Sequence, residues 1–140
     1  MASIHHEVEL NVSADSAWAA LRQVGHAHKL FADVLIDGRL DDNVRTVTFA
    51  NGLVTRERII DVNDDERRVA YSVFAGTPMT HHHASMQVIH EGENRCRFVW
   101  IADFLPDEFA GTMLPLVQQG TQALKTNLEN GTFARTRPAG

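Results

Sequence analysis

The acid–base chemistry open to this sequence rests on Glu57, Tyr71 and His82, which we expect to face an apolar interior. Carboxyl, phenol and imidazole groups can exchange a proton with a bound molecule or orient its polar end. A carboxylate in such a place is costly unless it is paired, and burial tends to raise its pKa. These three residues are the candidate catalytic residues, and the alternative is a satisfied internal ion pair or a water-bridged network.

Three consecutive histidines, His81, His82 and His83, raise the question of a metal site. A His-x-His pair on a strand places two imidazoles on one face, but a zinc site needs a further ligand. The neighbouring strand offers mainly Arg95 and Arg97 on that face. We therefore predict a solvated surface, with no metal and no cofactor.

The composition is that of one domain able to build a core. The chain has 140 residues, 44% of them hydrophobic, and a single cysteine, Cys96, which excludes an internal disulfide and is expected to be an inert core residue. The 13 basic and 18 acidic residues give a net charge of −5, which argues against a nucleic-acid-binding surface. No signal peptide and no run of roughly 20 apolar residues is found, so we expect a cytoplasmic protein without a transmembrane segment.

The first elements are a strand and a helix. Ile4 to Val12 alternates between apolar and polar residues with period two, which is typical of a half-buried strand. Ser13 follows as an N-cap, and apolar residues at helical spacing run as far as Val24, so that Gly25 is expected to end the helix. A second short helix is predicted over about His26 to Phe31.

Six further strands are predicted after the helices, and short polar turns join them into an antiparallel meander. Asn51-Gly52 gives the strongest hairpin signal, because both residues tolerate the positive φ of a two-residue type I′ turn. The predicted strands are Val34 to Leu40, Val44 to Ala50, Leu53 to Val62, Val69 to Ala75, Thr80 to His90 and Arg95 to Phe104.

The last element is an amphipathic helix, because apolar residues recur at helical spacing from residue 113 to residue 128. A proline breaks a hydrogen bond inside a helix, so we start this helix near Thr112, which puts Pro115 in its first turn. Asn130-Gly131 ends it. The domain is thus predicted to span residues 1–131, and residues 132–140 to form a flexible tail.

These elements define an α+β fold. A strongly bent sheet of seven antiparallel strands cannot bury its concave face on itself, and the C-terminal helix is the element long enough to cover it. We therefore predict a helix-grip fold, in which the sheet, two short helices and the long C-terminal helix enclose a cavity. Pockets of this kind bind apolar ligands. The alternative is that large side chains fill the interior.

Two parts of the sequence resemble a known superfamily. Trp18 in Ala14-Asp15-Ser16-Ala17-Trp18 looks like the tryptophan of the first helix in START-like, Bet v 1-like (SRPBCC) proteins. Residues 44–52, followed by Glu57-Arg58-Ile59, are similar to the polyketide cyclase/dehydrase and lipid-transport group, and the stretch through residues 64–69 to the plant abscisic-acid receptors. The resemblance covers Ile4 to Asn130 and implies the helix-grip fold, in a superfamily that includes receptors, lipid carriers and cyclases.

The chain departs from the hormone receptors at the parts that make them receptors. Those proteins carry a longer, proline-containing gate where Asn51-Gly52 stands here, and a His-Arg-Leu latch after the next hairpin that this chain lacks. No lysine able to pair with the hormone's carboxylate is evident in Val34 to Leu40. A gated hormone receptor is therefore not expected.

Period-two alternation assigns side chains to the concave face once one residue in each strand is fixed. The resemblance puts Glu57 inward, the apolar parity of the later strands puts His82 inward, and Arg45 could reach either the rim of the cavity or solvent. The predicted ligand-binding residues are Leu53, Thr55, Glu57, Ile59, Tyr71, Val73, His82, Phe98, Trp100, Met113, Val117 and Leu124.

Three functions are compatible with this fold. The leading hypothesis is binding or carriage of a small hydrophobic molecule. The first alternative is an enzyme of the polyketide cyclase/dehydrase type, in which Glu57 and His82 handle protons. The second alternative is an interaction module with a filled core. Val99, Ile101 and Phe74 could also form an outward apolar patch, which would favour a homodimer.

Overall fold

Seven antiparallel strands form one curved sheet in the computed structural model, which describes residues 2–131. The strand order is β1-β7-β6-β5-β4-β3-β2, so that every predicted strand is present and the sheet is the predicted meander with its first strand added beside its last. The tail predicted for residues 132–140 lies outside the described residues. The strands are β1 (Ala2–Leu10), β2 (Leu35–Asp41), β3 (Val44–Phe49), β4 (Val54–Asn63), β5 (Arg68–Ala75), β6 (His81–Gly92) and β7 (Arg95–Leu105).

Helix α1 spans Ala14–Leu21 and begins as predicted, since the Ser13 hydroxyl accepts a hydrogen bond from the backbone N–H of Ser16 at 3.1 Å. The prediction that Gly25 ends it is wrong. The non-helical backbone of Gln23 (φ −82°, ψ 70°) stops the helix earlier, and Gly25 lies in the 3₁₀ turn Val24–His26. Helix α2 follows directly as Ala27–Leu30.

The hairpin between β3 and β4 has a longer turn than predicted. The N–H of Phe49 donates to the carbonyl of Leu53 at 2.8 Å and that of Gly52 donates to Phe49 at 2.9 Å, which closes a three-residue loop. Gly52 has a φ of +91°, but Asn51 does not have the positive φ of a type I′ turn. The extra residue sets the register of the hairpin, in which Arg45 stands opposite Glu57.

Helix α3 spans Ala110–Glu129 and starts two residues earlier than predicted, so that Pro115 lies in its second turn and not its first. The 3₁₀ turn Asp107–Phe109 runs straight into the helix. Pro115 lacks the N–H that would bond to the carbonyl of Gly111, and both residues are exposed, so water can satisfy that carbonyl. The other end of α3 is fixed by Asn127, whose amide donates to the carbonyls of Leu30 and Ala32 at 2.9 and 2.7 Å.

The three residues suggested for an outward apolar patch do not form a fully exposed surface. Val99 is buried and Ile101 is half-buried, while Phe74 is exposed, with the guanidinium groups of Arg56 and Arg58 at 5.2 and 4.8 Å from its ring centroid. The homodimer therefore stays a prediction without this support. No helix among residues 2–131 has the length and apolarity needed to cross a membrane.

Candidate functional site

A cavity of about 130 Å³ lies between the concave face of the sheet and helices α2 and α3. Most of its wall is apolar, and the polar residues Arg45, Thr55, Glu57, Tyr71 and His82 are set into that wall. Nine of the predicted ligand-binding residues line this cavity: Leu53, Thr55, Glu57, Tyr71, Val73, His82, Trp100, Met113 and Val117.

The three other predicted lining residues are not part of the cavity wall. Phe98 and Leu124 are fully buried in the hydrophobic core, and Ile59 packs against that core from a half-buried position. They lie on the predicted inner side of the fold, but neighbouring side chains fill the space around them. Alternation in sequence identifies the face of a strand and does not tell a packed part of that face from an open one.

The sequence missed several wall residues whose positions follow from the same periodicities. Helix α2 contributes Ala27 and the residue that follows the helix, Phe31, and the inward parity of β3 contributes Val47 and Phe49 beside Arg45. Eight wall residues are half-buried or exposed, and those other than His82 and Trp100 form the mouth of the cavity. These mouth residues are Val34, Phe49, Leu53, Thr77, Met79 and Leu116.

Glu57 is paired with Arg45, the residue whose direction the sequence left open. The Nε and Nη2 atoms of Arg45 both contact Oε1 of Glu57 at 2.7 Å, and the two side chains are only 9% and 10% exposed. The Nη1 atom of Arg45 also donates to the carbonyl of Val24 at 3.3 Å. The guanidinium lies 5.1 Å from the centroid of the Tyr71 ring, a cation–π contact that links the phenol to the pair.

Glu57 and His82 line the same cavity, but strand β5 separates their strands in the sheet. The two groups that the sequence suggested for proton handling therefore face one cavity from strands that are not adjacent. Glu57 instead belongs to the cluster of Arg45, Glu57 and Tyr71 on β3, β4 and β5, which we call the polar cluster.

Burial keeps the two other titratable groups of the wall uncharged near pH 7. It raises the pKa of the Tyr71 phenol, and the neighbouring carboxylate of Glu57 acts in the same direction. Burial lowers the pKa of His82 to about 4, and the adjacent His81 and His83 lower it further. The imidazole of His82 packs edge-on against Phe104, with ring centroids 6.3 Å apart.

Three polar atoms of the wall are buried and have no hydrogen-bond partner among the described residues. They are Oγ1 of Thr55, Nδ1 of His82 and Nε1 of Trp100, the last of which lies beside the Tyr71 phenol and interacts with it without good hydrogen-bond geometry. Such atoms are uncommon in folded proteins, because an unpaired buried donor or acceptor costs about 1–3 kcal/mol. All three lie on the wall of a single cavity, where a bound molecule or water can pair with them.

Two other kinds of site would be a metal centre and a reactive thiol. Within residues 2–131, no group of three His, Cys, Asp or Glu side chains is arranged to hold a metal ion. Cys96 is fully buried, and burial raises the pKa of its thiol to about 11, so that it stays protonated at neutral pH.

The fold and the cavity define a helix-grip protein of the START-like, Bet v 1-like type. The chain belongs to the polyketide cyclase/dehydrase and lipid-transport family, whose model matches residues 1–129. This match confirms the resemblance found in the sequence. A search of the curated proteins finds no match.

Several solved structures share the fold. An uncharacterized protein of Bacillus thuringiensis is 22% identical with a TM-score of 0.82, over 91% of this chain and 98% of that chain. XoxI of Bacillus cereus is 22% identical with a TM-score of 0.83, over 91% and 96% of the two chains. Norcoclaurine synthase of Thalictrum flavum, in complex with dopamine and hydroxybenzaldehyde, is 19% identical with a TM-score of 0.72, over 99% and 89%.

Proposed function

We propose that this protein binds a small hydrophobic molecule in the cavity between the sheet and α3. The observation that carries the proposal is the set of three unpartnered polar atoms, of Thr55, His82 and Trp100, on a wall that is otherwise mostly apolar. A ligand that buries its apolar body there gains the hydrophobic contribution, and its polar groups can satisfy those atoms. An unfilled volume of about 130 Å³ argues against a module with a filled core.

The size of the cavity is in the range that holds a ring. An engineered cavity of about 150 Å³ lined by apolar side chains binds benzene. The family description includes lipid transport, and a protein of the same fold, norcoclaurine synthase, holds dopamine and hydroxybenzaldehyde. These likenesses support a binding function for the cavity and leave the identity of the ligand to experiment.

Trp100 offers a direct test, because it lines the cavity and Trp18 is the one other tryptophan in the chain. In a Trp18→Phe variant the fluorescence reports on Trp100 alone. From a broad apolar panel that also includes fatty acids, we expect small neutral aromatic compounds to change this fluorescence and to raise the melting temperature. At a ligand concentration of 100 times Kd, binding stabilises the fold by about 2.7 kcal/mol. Native mass spectrometry of the purified protein shows whether a molecule co-purifies.

Two variants on the same helix serve as the matched test and control. Val117→Phe puts a larger side chain into the cavity and should abolish binding, whereas Leu114→Phe changes an exposed position and should leave binding unchanged. Circular dichroism establishes that both variants are folded. The proposal is wrong if a broad apolar panel leaves fluorescence and melting temperature of the folded Trp18→Phe protein unchanged.

A cyclase or dehydrase of the polyketide type is the second candidate function, and His82 is the observation that favours it. Its imidazole lines the cavity, is neutral at pH 7 and has an unpartnered Nδ1 atom, so in its Nε2–H tautomer it can accept a proton from a bound substrate, as a base weakened by its lowered pKa. Glu57 is less suited to that role because Arg45 already occupies its carboxylate. Tyr71, with its raised pKa, can donate a hydrogen bond to a carbonyl oxygen.

Replacement of His82 separates the two functions. If the protein is an enzyme, His82→Gln should lower turnover of a poly-β-ketone substrate by about 10²–10⁴-fold while its affinity changes little. The measurement is the appearance of a product lighter by one water molecule, followed by mass spectrometry. Binding of the substrate by the wild-type protein without any such product argues for a carrier and against the enzyme.

A further inference from the structure

The charge, the size and the hydrogen-bonding atoms of the cavity narrow the class of molecule that it can hold. We infer that the ligand is an uncharged molecule with a single ring and at least two polar substituents, and that the same ring bearing a carboxylate or an ammonium group is rejected. The inference rests on the proposed binding function and deepens it by naming the ligand class.

Arg45 and Glu57 are the charged side chains of the described cavity wall, and they neutralise each other. A ligand carboxylate would have to compete with Glu57 for the guanidinium, and a ligand ammonium would have to compete with Arg45 for the carboxylate. In either case three charges share a site with little solvent, and one of them is left without a counter-charge. Such a group is strongly disfavoured in an apolar interior.

The neutral groups of the wall do not supply the missing counter-charge. Burial holds Tyr71 in its protonated form and His82 in its unprotonated form at pH 7. The remaining wall residues are apolar or carry only hydroxyl, thioether or indole groups. The wall as a whole therefore carries no net charge, and an uncharged ligand can bind without adding an unpaired charge to it.

The three unpartnered atoms require polar groups on the ligand. The indole N–H of Trp100 can only donate, and the neighbouring Tyr71 phenol meets it in poor geometry, so a ligand hydroxyl or carbonyl oxygen is the better acceptor. The hydroxyl of Thr55 can donate or accept, and Nδ1 of His82 does one or the other according to its tautomer. A pure hydrocarbon would leave all three atoms unsatisfied. Because these residues belong to β4, β6 and β7, one substituent is not expected to serve them all.

Four compounds built on the same ring test the inference by isothermal titration calorimetry at pH 7. The first, 4-hydroxybenzyl alcohol, is neutral and has two hydroxyls. The other three are 4-hydroxybenzoate, 4-hydroxybenzylamine and p-xylene. We expect 4-hydroxybenzyl alcohol to bind at least about tenfold more tightly than each of the other three, because each lacks a polar group or adds an unpaired charge. Equal or tighter binding of the benzoate, the amine or p-xylene would overturn the inference.

The outcome also separates this inference from the proposed function. If no compound of the series binds but a long-chain fatty acid does, the ligand class is wrong and the binding function stands. If neither the series nor the apolar panel binds, both are wrong.

Thr55→Val provides a variant that keeps the shape of the wall and removes one unpartnered hydroxyl. This variant should bind 4-hydroxybenzyl alcohol about two- to tenfold more weakly than the wild-type protein, and its affinity for p-xylene should be unchanged or higher. The stability of the fold should not fall. Thr121→Val is the matched control, because Thr121 is equally buried on α3 but bonds to the carbonyl of Val117 and does not line the cavity. An equal loss of affinity for both compounds in Thr55→Val would contradict the assigned role of the hydroxyl.

Discussion

Breaking the ion pair between Arg45 and Glu57 should destabilise the fold far more than breaking an exposed one. The two side chains are about nine-tenths buried, and both contacts use a single carboxylate oxygen at 2.7 Å. Removing one member of a buried pair typically costs about 3–5 kcal/mol, since the other charge is left without a partner. Glu57→Gln keeps one acceptor for the guanidinium, so we expect the lower end, about 3 kcal/mol. For a domain of this length that corresponds to a fall in melting temperature of roughly 10 °C.

The assay is urea unfolding at pH 7, followed by far-ultraviolet circular dichroism. Glu9→Gln is the matched control, because Glu9 pairs with Arg95 at 3.1 Å while their side chains are 48% and 56% exposed. An exposed pair contributes about 0–1 kcal/mol, so this variant should stay close to wild type. The double variant Arg45→Met/Glu57→Leu removes both charges and should be within about 1 kcal/mol of wild type, or more stable.

Two results would refute this reasoning. If Glu57→Gln lowers the free energy of unfolding no more than Glu9→Gln does, then water reaches the pair and the two side chains are not buried in an apolar interior. If the double variant loses as much stability as Glu57→Gln does, the ion pair itself makes a net contribution to the stability of the fold. In that case the role of the ion pair is not limited to leaving the cavity wall without net charge.

Three further predictions follow from individual residues. Burial lowers the pKa of His82 from 6.5 to about 4, so the folded protein binds this proton more weakly than the unfolded chain does. The free energy of unfolding should therefore fall by about 2–3 kcal/mol between pH 6.5 and pH 4 in urea unfolding, and His82→Leu should remove this part of the pH dependence. Cys96 should resist a thiol reagent until guanidinium unfolds the chain, when one thiol reacts; fast native labelling would contradict its burial. In urea unfolding, Gly76→Ala should lower the free energy of unfolding by at least about 2 kcal/mol more than Gly52→Ala does. A Cβ at Gly76 would lie 2.0 Å from the carbonyl oxygen of Val54, whereas a Cβ at Gly52 would have no atom within 4 Å, so equal losses would contradict the clash.

The elements of the fold could be predicted because each of them buries one face. A strand with one buried face must alternate, and β5, β6 and β7 do so with residues such as Tyr71, Met86 and Phe98 on the buried parity. Helix α3 must repeat every three or four residues for the same reason. These patterns are local, so they can be recognised in the sequence before the partner strands are known.

The polar cluster could not be predicted in full, because it depends on one residue of turn length. A two-residue turn at Asn51-Gly52 would place Thr46 opposite Glu57, whereas the observed three-residue loop places Arg45 there. Gly52 suits either turn, since both accept a positive φ at that residue. A slip of one residue exchanges the two faces of a strand, so the direction of Arg45 was open until the register was known.

The position of the cavity depends on packing between elements that are distant in sequence. Gly120 stands within a 20-residue helix, although glycine costs about 1 kcal/mol there relative to alanine. The structure supplies the reason, since a Cβ at this position would lie 3.0 Å from Cζ3 of Trp100. Glycine thus lets α3 lie close against Trp100 without pushing the indole out of the wall. Farther along α3, Leu124 is fully buried in the hydrophobic core and does not line the cavity, so the cavity lies against the part of α3 that runs from Met113 to Gly120.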